Sequence, residues 1–74
     1  MQKKKSVEEK EDVTLSIVET AMAEELKASA LYKRISEQLE DKAAKLKFDV
    51  MSNAEQKHYE RLRKWYEERS EERR

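Results

Sequence analysis

Residues 44–65 read AKLKFDVMSNAEQKHYERLRKW, and their phase decides the fold. Ala44, Phe48, Met51, Glu55, His58, Leu62 and Trp65 follow one another at alternating steps of four and three. With about 3.6 residues per turn, that alternation keeps the side chains on one face of an α-helix. Ala43, Leu46, Val50 and Ala54 lie beside the line and are expected to widen it. The pattern predicts a helix from about Lys42 to Arg69, in one piece because no Gly or Pro interrupts it.

The stretch before it repeats the design. Val18, Met22, Glu25, Ser29 and Tyr32 take steps of four, three, four and three, with Leu15 before them and Leu39 after. Ala21, Ala28, Leu31 and Ile35 form a second line that is expected to broaden the buried face. A face this wide belongs to a bundle helix rather than to a thin coiled-coil seam. The helix is expected over residues 7–38, opened by a capping box in which Ser6 is the N-cap and Glu9 reaches back. The turn falls at Leu39-Glu40-Asp41, with Asp41 as the N-cap of the second helix. The whole chain, residues 1–74, reads as a single all-α domain: a two-helix antiparallel hairpin. Lys3 to Lys5, and Glu67 to Arg74, read as solvated charge at its ends.

Composition narrows the function. Lys plus Arg number 17 and Asp plus Glu number 17, so there is no basic surplus for nucleic acid. No apolar run is long enough for a membrane span or a signal peptide; a cytoplasmic protein is expected. Cysteine is absent, which removes disulfides, thiolate metal sites and thiol catalysis from these residues. A chain of 74 residues buries only a modest core, and small folds usually add a disulfide, a metal or a partner chain.

Both apolar stripes are broken by ionisable residues. Glu25 stands between Met22 and Ser29, and Glu55 with His58 between Met51 and Leu62. A buried, unpaired carboxylate is costly, so such a group is neutralised, paired or bound to metal. Register ties the three together. With the turn centred on residue 40, Glu25 and Glu55 are each 15 residues from it. At about 1.5 Å per residue both lie roughly 22 Å along the hairpin and face each other. His58, three residues after Glu55, shares its face one turn on. Carboxylate oxygen with some imidazole nitrogen is the ligand set of non-haem iron and manganese sites. Diiron bundles take one Glu from each of two helices and Glu-x-x-His from each of the other two. One chain supplies half of that set, so two copies related by a two-fold axis would complete it.

The run Glu24-Glu25-Leu26, Leu31-Tyr32 and Ala54-Glu55-Gln56-Lys57-His58 resembles the ferritin-like superfamily in its rubrerythrin-related branch. Within that branch it is most similar to the encapsulated ferritins, over about Ala21 to Trp65. The resemblance implies a hairpin that homodimerises into a ferritin-like four-helix bundle, with a higher, ring-like oligomer as a further form. It implies ferroxidase activity at a diiron site shared between two chains, with Glu25, Glu55 and His58 as ligands and catalytic residues. Tyr32 would be a neighbouring tyrosine behind the ligands, and Glu24 a way in for iron. Mn or Zn fits the same donors. The partner it implies beyond a second copy is an encapsulin shell enclosing the protein. Two family features are not recognised in this sequence: a cysteine-ligated iron domain, and a shell-docking peptide within Glu67 to Arg74.

Plainer readings stand beside these. Glu55 and His58 could form a surface i,i+3 pair. Glu25 could be a polar residue that fixes dimer register. Tyr32, Trp65 and Tyr66 could serve packing alone. The rival functions are a non-enzymatic helical oligomerisation or adaptor module, and a metal-binding protein without turnover.

Overall fold

The computed structural model describes residues 7–72 and contains two helices, α1 (Val7–Gln38) and α2 (Lys42–Glu72). The proposed Ser6 cap, the Lys3 to Lys5 tip and the final two arginines lie outside the described residues. α2 runs past the expected end at Arg69. Residues 67–72 are mostly Glu and Arg, good helix formers with no Gly or Pro among them to stop the helix.

The connection is Leu39 to Asp41, where the sequence placed it. Asp41 Oδ1 accepts hydrogen bonds from the N–H groups of Ala43 at 2.9 Å and Ala44 at 3.2 Å, and its carbonyl accepts from Lys45 N–H at 2.9 Å. These satisfy main-chain donors that a helix start leaves open. Among the described residues none has a positive φ, so the turn closes without glycine.

The helices meet along a seam with a seven-residue beat. On α1 the seam positions are Leu15, Met22, Ser29 and Ser36; on α2 they are Lys45, Ser52, Tyr59 and Tyr66. Leu15, Ser29, Ser36 and Ser52 are buried and the other four half-buried. Small hydroxyl side chains let the backbones approach, and hydrogen bonds do the joining. Ser52 Oγ donates to Ser29 O at 2.9 Å, while Ser29 Oγ lies 3.1 Å from both Ser52 O and Ser52 Oγ. Nearer the turn, Ser36 Oγ donates to Asp49 Oδ1 at 2.6 Å, and Lys45 Nζ donates to Ser36 O at 2.9 Å. Lys33 Nζ flanks the same carboxylate at 3.8 Å. At the open end Tyr66 Oη donates to a Glu19 carboxylate oxygen.

This interior differs from the expected one. The stripe through Met51, His58 and Trp65 lies to one side of the seam, and Met51 and His58 are exposed in the single chain. The lines meant to widen the buried face do so only in part. Ala21, Ala28, Ile35 and Ala54 are half-buried, but Ala43 and Leu31 are exposed, as are Leu46 at 64% and Val50 at 58%. The reason is helical phase. Leu31 and Val50 stand two residues from the seam serines Ser29 and Ser52, about 200° around their helices, and so point away from the seam. The molecule is 13 Å deep in its thinnest direction, one helix thick.

Candidate metal centre

Glu25 and Glu55 occupy equivalent positions on facing helices. Glu25 is three residues after the seam position Met22, and Glu55 three after Ser52, so each turns from the seam toward the same side of the hairpin. His58 follows Glu55 by one turn. One ligand atom from each of Glu25, Glu55 and His58 lies within 4.8 Å of the other two. The convergence expected from register is therefore present within one chain.

The three differ in burial. Glu25 and Glu55 are half-buried, whereas the His58 side chain is 52% exposed. Glu25 Oε2 is shut off from solvent and has no hydrogen-bond partner among the described residues. His58 Nδ1 stands 3.6 Å from it, beyond hydrogen-bonding distance. A buried carboxylate oxygen left unpaired carries a desolvation cost of about 1–3 kcal/mol or more. A bound cation would satisfy Oε2 directly, and the donor set around it, two carboxylates and an imidazole, is one that iron accepts. The residues present thus fit a metal.

About two turns from the carboxylates toward the connection, Tyr32 packs its ring against Phe48, with centroids 6.1 Å apart and planes tilted by 54°. Glu24 lies outside the cluster; it is exposed and paired with Lys27 at 3.6 Å. Trp65 stacks under the Arg69 guanidinium at 5.1 Å. Sequence reasoning did not single out Ser29, Ser36 and Ser52 as the joints of the hairpin. Their signal was the seven-residue spacing they share with Leu15, Met22, Tyr59 and Tyr66. The Glu19 carboxylate holds the Tyr66 phenol protonated to higher pH than usual, by hydrogen bonding first and then by burial and charge. The opposite side of the hairpin carries a shallow groove lined mainly by Lys33, Asn53 and Gln56 beside Leu26.

Two long antiparallel helices presenting a Glu, Glu, His cluster to one side define a hairpin of ferritin-like type. The rubrerythrin family model matches residues 16–74, and the chain belongs to that family, within the ferritin-like superfamily. Members of the family typically bind iron and are often oxidoreductases. No curated protein and no solved structure matches the chain. Among the described residues no helix is long and apolar enough to cross a membrane.

Proposed function

We propose that two copies of this chain pair to complete a four-helix bundle with a shared two-iron centre, at which Fe(II) is oxidised to Fe(III). The observation that carries this reading is the orphaned, buried Glu25 Oε2, aimed at Glu55 and His58 on the neighbouring helix. One chain offers two carboxylates and one imidazole, half of a diiron bundle's ligands. Stable domains stack two or more layers around a core, yet this hairpin is a single layer in which Leu15 is the buried apolar residue among those described. Laying a second copy over the side that bears Glu25, Glu55 and His58 would supply the missing layer. Met51, seven residues before His58, shares its helix face and would be covered with it.

Iron is the substrate here, and the chain's own groups define what happens to it. Glu25 and Glu55 would bring carboxylate oxygens and His58 an imidazole nitrogen, and with the same groups of the second copy they would hold two iron ions. Two Fe(II) release two electrons. Dioxygen takes them with two protons to give hydrogen peroxide, or hydrogen peroxide takes them with two protons to give two waters. The half-exposed His58 marks the side that a second chain would close. Tyr32, held against Phe48 two turns from Glu25 on the same helix face, would serve as a neighbouring aromatic rather than a ligand. Glu24, exposed near the site, would give incoming iron a way in. Mn and Zn suit the same donors and would compete for them.

A pair of hairpins has no cavity for a mineral, so the ferric product must pass to another compartment. An encapsulin-type shell in the cytoplasm is the destination that the family resemblance suggests. The exposed Ile17, Leu31, Leu46 and Val50 support further contacts between dimers, as in a ring-like oligomer.

Aerobic addition of Fe(II) to metal-free protein, followed by ferric absorbance, tests the proposal. Turnover in the wild type that disappears in Glu55→Ala and His58→Ala supports it. Stoichiometric binding without oxidation would leave a metal-binding protein without turnover. The absence of binding would leave a helical oligomerisation module.

A further inference from the structure

We infer that Ser29 and Ser52 are positioning residues for the cluster: their crossed hydrogen bonds set the register at which Glu25, Glu55 and His58 meet. This inference rests on the two-iron reading of the site.

Place is the first argument. Ser29 follows Glu25 by four residues and Ser52 precedes Glu55 by three. In an antiparallel pair both serines therefore lie on the turn side of the carboxylates, about one helical turn away. Met22 and Tyr59 pack at a similar distance on the other side, but no hydrogen bond between the helices lies nearer to the cluster among the described residues.

The second argument is the form of the contact. A hydroxyl in mid-helix commonly bonds back to the carbonyl four residues earlier in its own helix. Thr14 and Thr20 do so here, donating to Lys10 O at 2.9 Å and Ser16 O at 3.3 Å. Ser29 and Ser52 cross over instead. Ser52 Oγ donates to Ser29 O at 2.9 Å, and Ser29 Oγ reaches Ser52 O or Ser52 Oγ at 3.1 Å. Each hydroxyl thus grips the other helix's main chain by a single-carbon arm. A contact between two long side chains could follow a sliding helix by changing rotamer; this one cannot.

Magnitude decides what that grip is for. Sliding one helix by a residue moves its ligands about 1.5 Å along the axis. Metal–ligand distances tolerate only about 0.2 Å. Apolar seam residues would hold the helices together through burial, but burial is non-directional and fixes register less sharply. The reciprocal serine contact is directional and lies within a turn of the ligands.

The test is a Co(II) titration of the full chain, read by visible absorption, on the wild type, Glu55→Ala and the double variant Ser29→Ala/Ser52→Ala. Circular dichroism and sedimentation of each metal-free protein run alongside. The double variant keeps side-chain size and loses the crossed bonds. It is expected to retain wild-type helicity and assembly, to bind Co(II) about tenfold more weakly, as when a ligand's supporting contact is lost, and to show an altered band shape. If wild type and Glu55→Ala differ as the metal reading requires while the double variant titrates like wild type, the positioning role is overturned and the metal reading stands. If wild type gives no stoichiometric Co(II) spectrum, both fall together. If the double variant loses helicity, Ser29→Ala and Ser52→Ala are titrated singly. Weakened affinity at wild-type helicity in either supports the inference, and unchanged affinity in both overturns it.

Discussion

Among the described residues the buried positions between α1 and α2 are Leu15, Ser29, Ser36 and Ser52, whereas Ile17, Leu46 and Val50 face outward and are more than half exposed. A hairpin built to stand alone would reverse this, since burial of large aliphatic groups is the main favourable term in folding. The seam gives this chain geometry, through directional bonds that are each worth about 0.5–1.5 kcal/mol net. Its apolar surface is placed where another molecule can cover it. The same division separates the ligand candidates. Glu25, next to the seam, has an oxygen closed off from water, while His58, farther out, remains open.

Substitutions on the two sides should break or sharpen this contrast. The largest effect belongs to the outer side at the cluster. Met51→Glu would place a charge where the second copy is proposed to sit. It forfeits burial worth about 2 kcal/mol, a roughly 30-fold or greater loss in dimer affinity. Sedimentation across a concentration series would show this; an unchanged dimer would place the interface elsewhere.

Next comes the seam itself. Ser36→Ala removes the hydroxyl bonded to Asp49, a hydrogen bond to a charged group. The expected cost is about 1.5 kcal/mol, at the low end for a bond to a charged group because Lys33 still flanks Asp49, measured as a lower urea midpoint at unchanged m-value. A midpoint equal to wild type would mean that the seam bonds contribute geometry without stability.

Asp41→Ala tests the turn, which belongs to neither side. It loses both side-chain acceptor bonds and should cost about 1 kcal/mol. The same denaturation experiment checks it, and Asp41→Asn should recover most of the loss.

The smallest effect is at the open end and depends on pH. The hydrogen bond to Glu19 raises the folded-state pKa of Tyr66 above the ordinary phenol value of about 10. A raised folded value means that the Tyr66–Glu19 contribution is fully present below the unfolded pKa and lost as pH rises through the folded one. Wild type should therefore lose slightly more stability than Tyr66→Phe above about pH 10. Parallel stability profiles of the two proteins in that range would remove Glu19 as the cause.

Much of this was legible in the sequence because helical phase is local. The four-three alternation of Ala44 to Trp65 and of Val18 to Tyr32 gave both helices, and Asp41 gave the turn. The meeting of Glu25, Glu55 and His58 followed from their equal distance to that turn, since two straight helices fix height by counting. What phase alone could not tell was which part of a broad apolar face turns inward. Ser29 falls on the first stripe only by its phase and Ser52 falls on neither, because serine adds no apolar signal, yet in the fold they are the joints. The exposure of Leu46 and Val50 was hidden for a related reason. A hydrophobic residue announces that something will cover it, without saying whether the cover is its own chain or another. The Tyr66–Glu19 bond joins residues far apart in a chain with many carboxylates, and nothing local selects that partner.

The uneven placement of the joints has a kinetic side. Asp41, Ser36, Asp49, Lys45 and the Ser29–Ser52 pair all lie between the turn and the cluster, while the long arms beyond it are closed by the packing of Met22, Tyr59 and Leu15 and by the Tyr66–Glu19 hydrogen bond. Fraying should begin at those free tips and travel inward, so amides near Glu19 and Tyr66 exchange with solvent sooner than those near Ser36. The ligand candidates stand at the border of the two regimes, on ground firm enough to keep their spacing and beside arms loose enough to open.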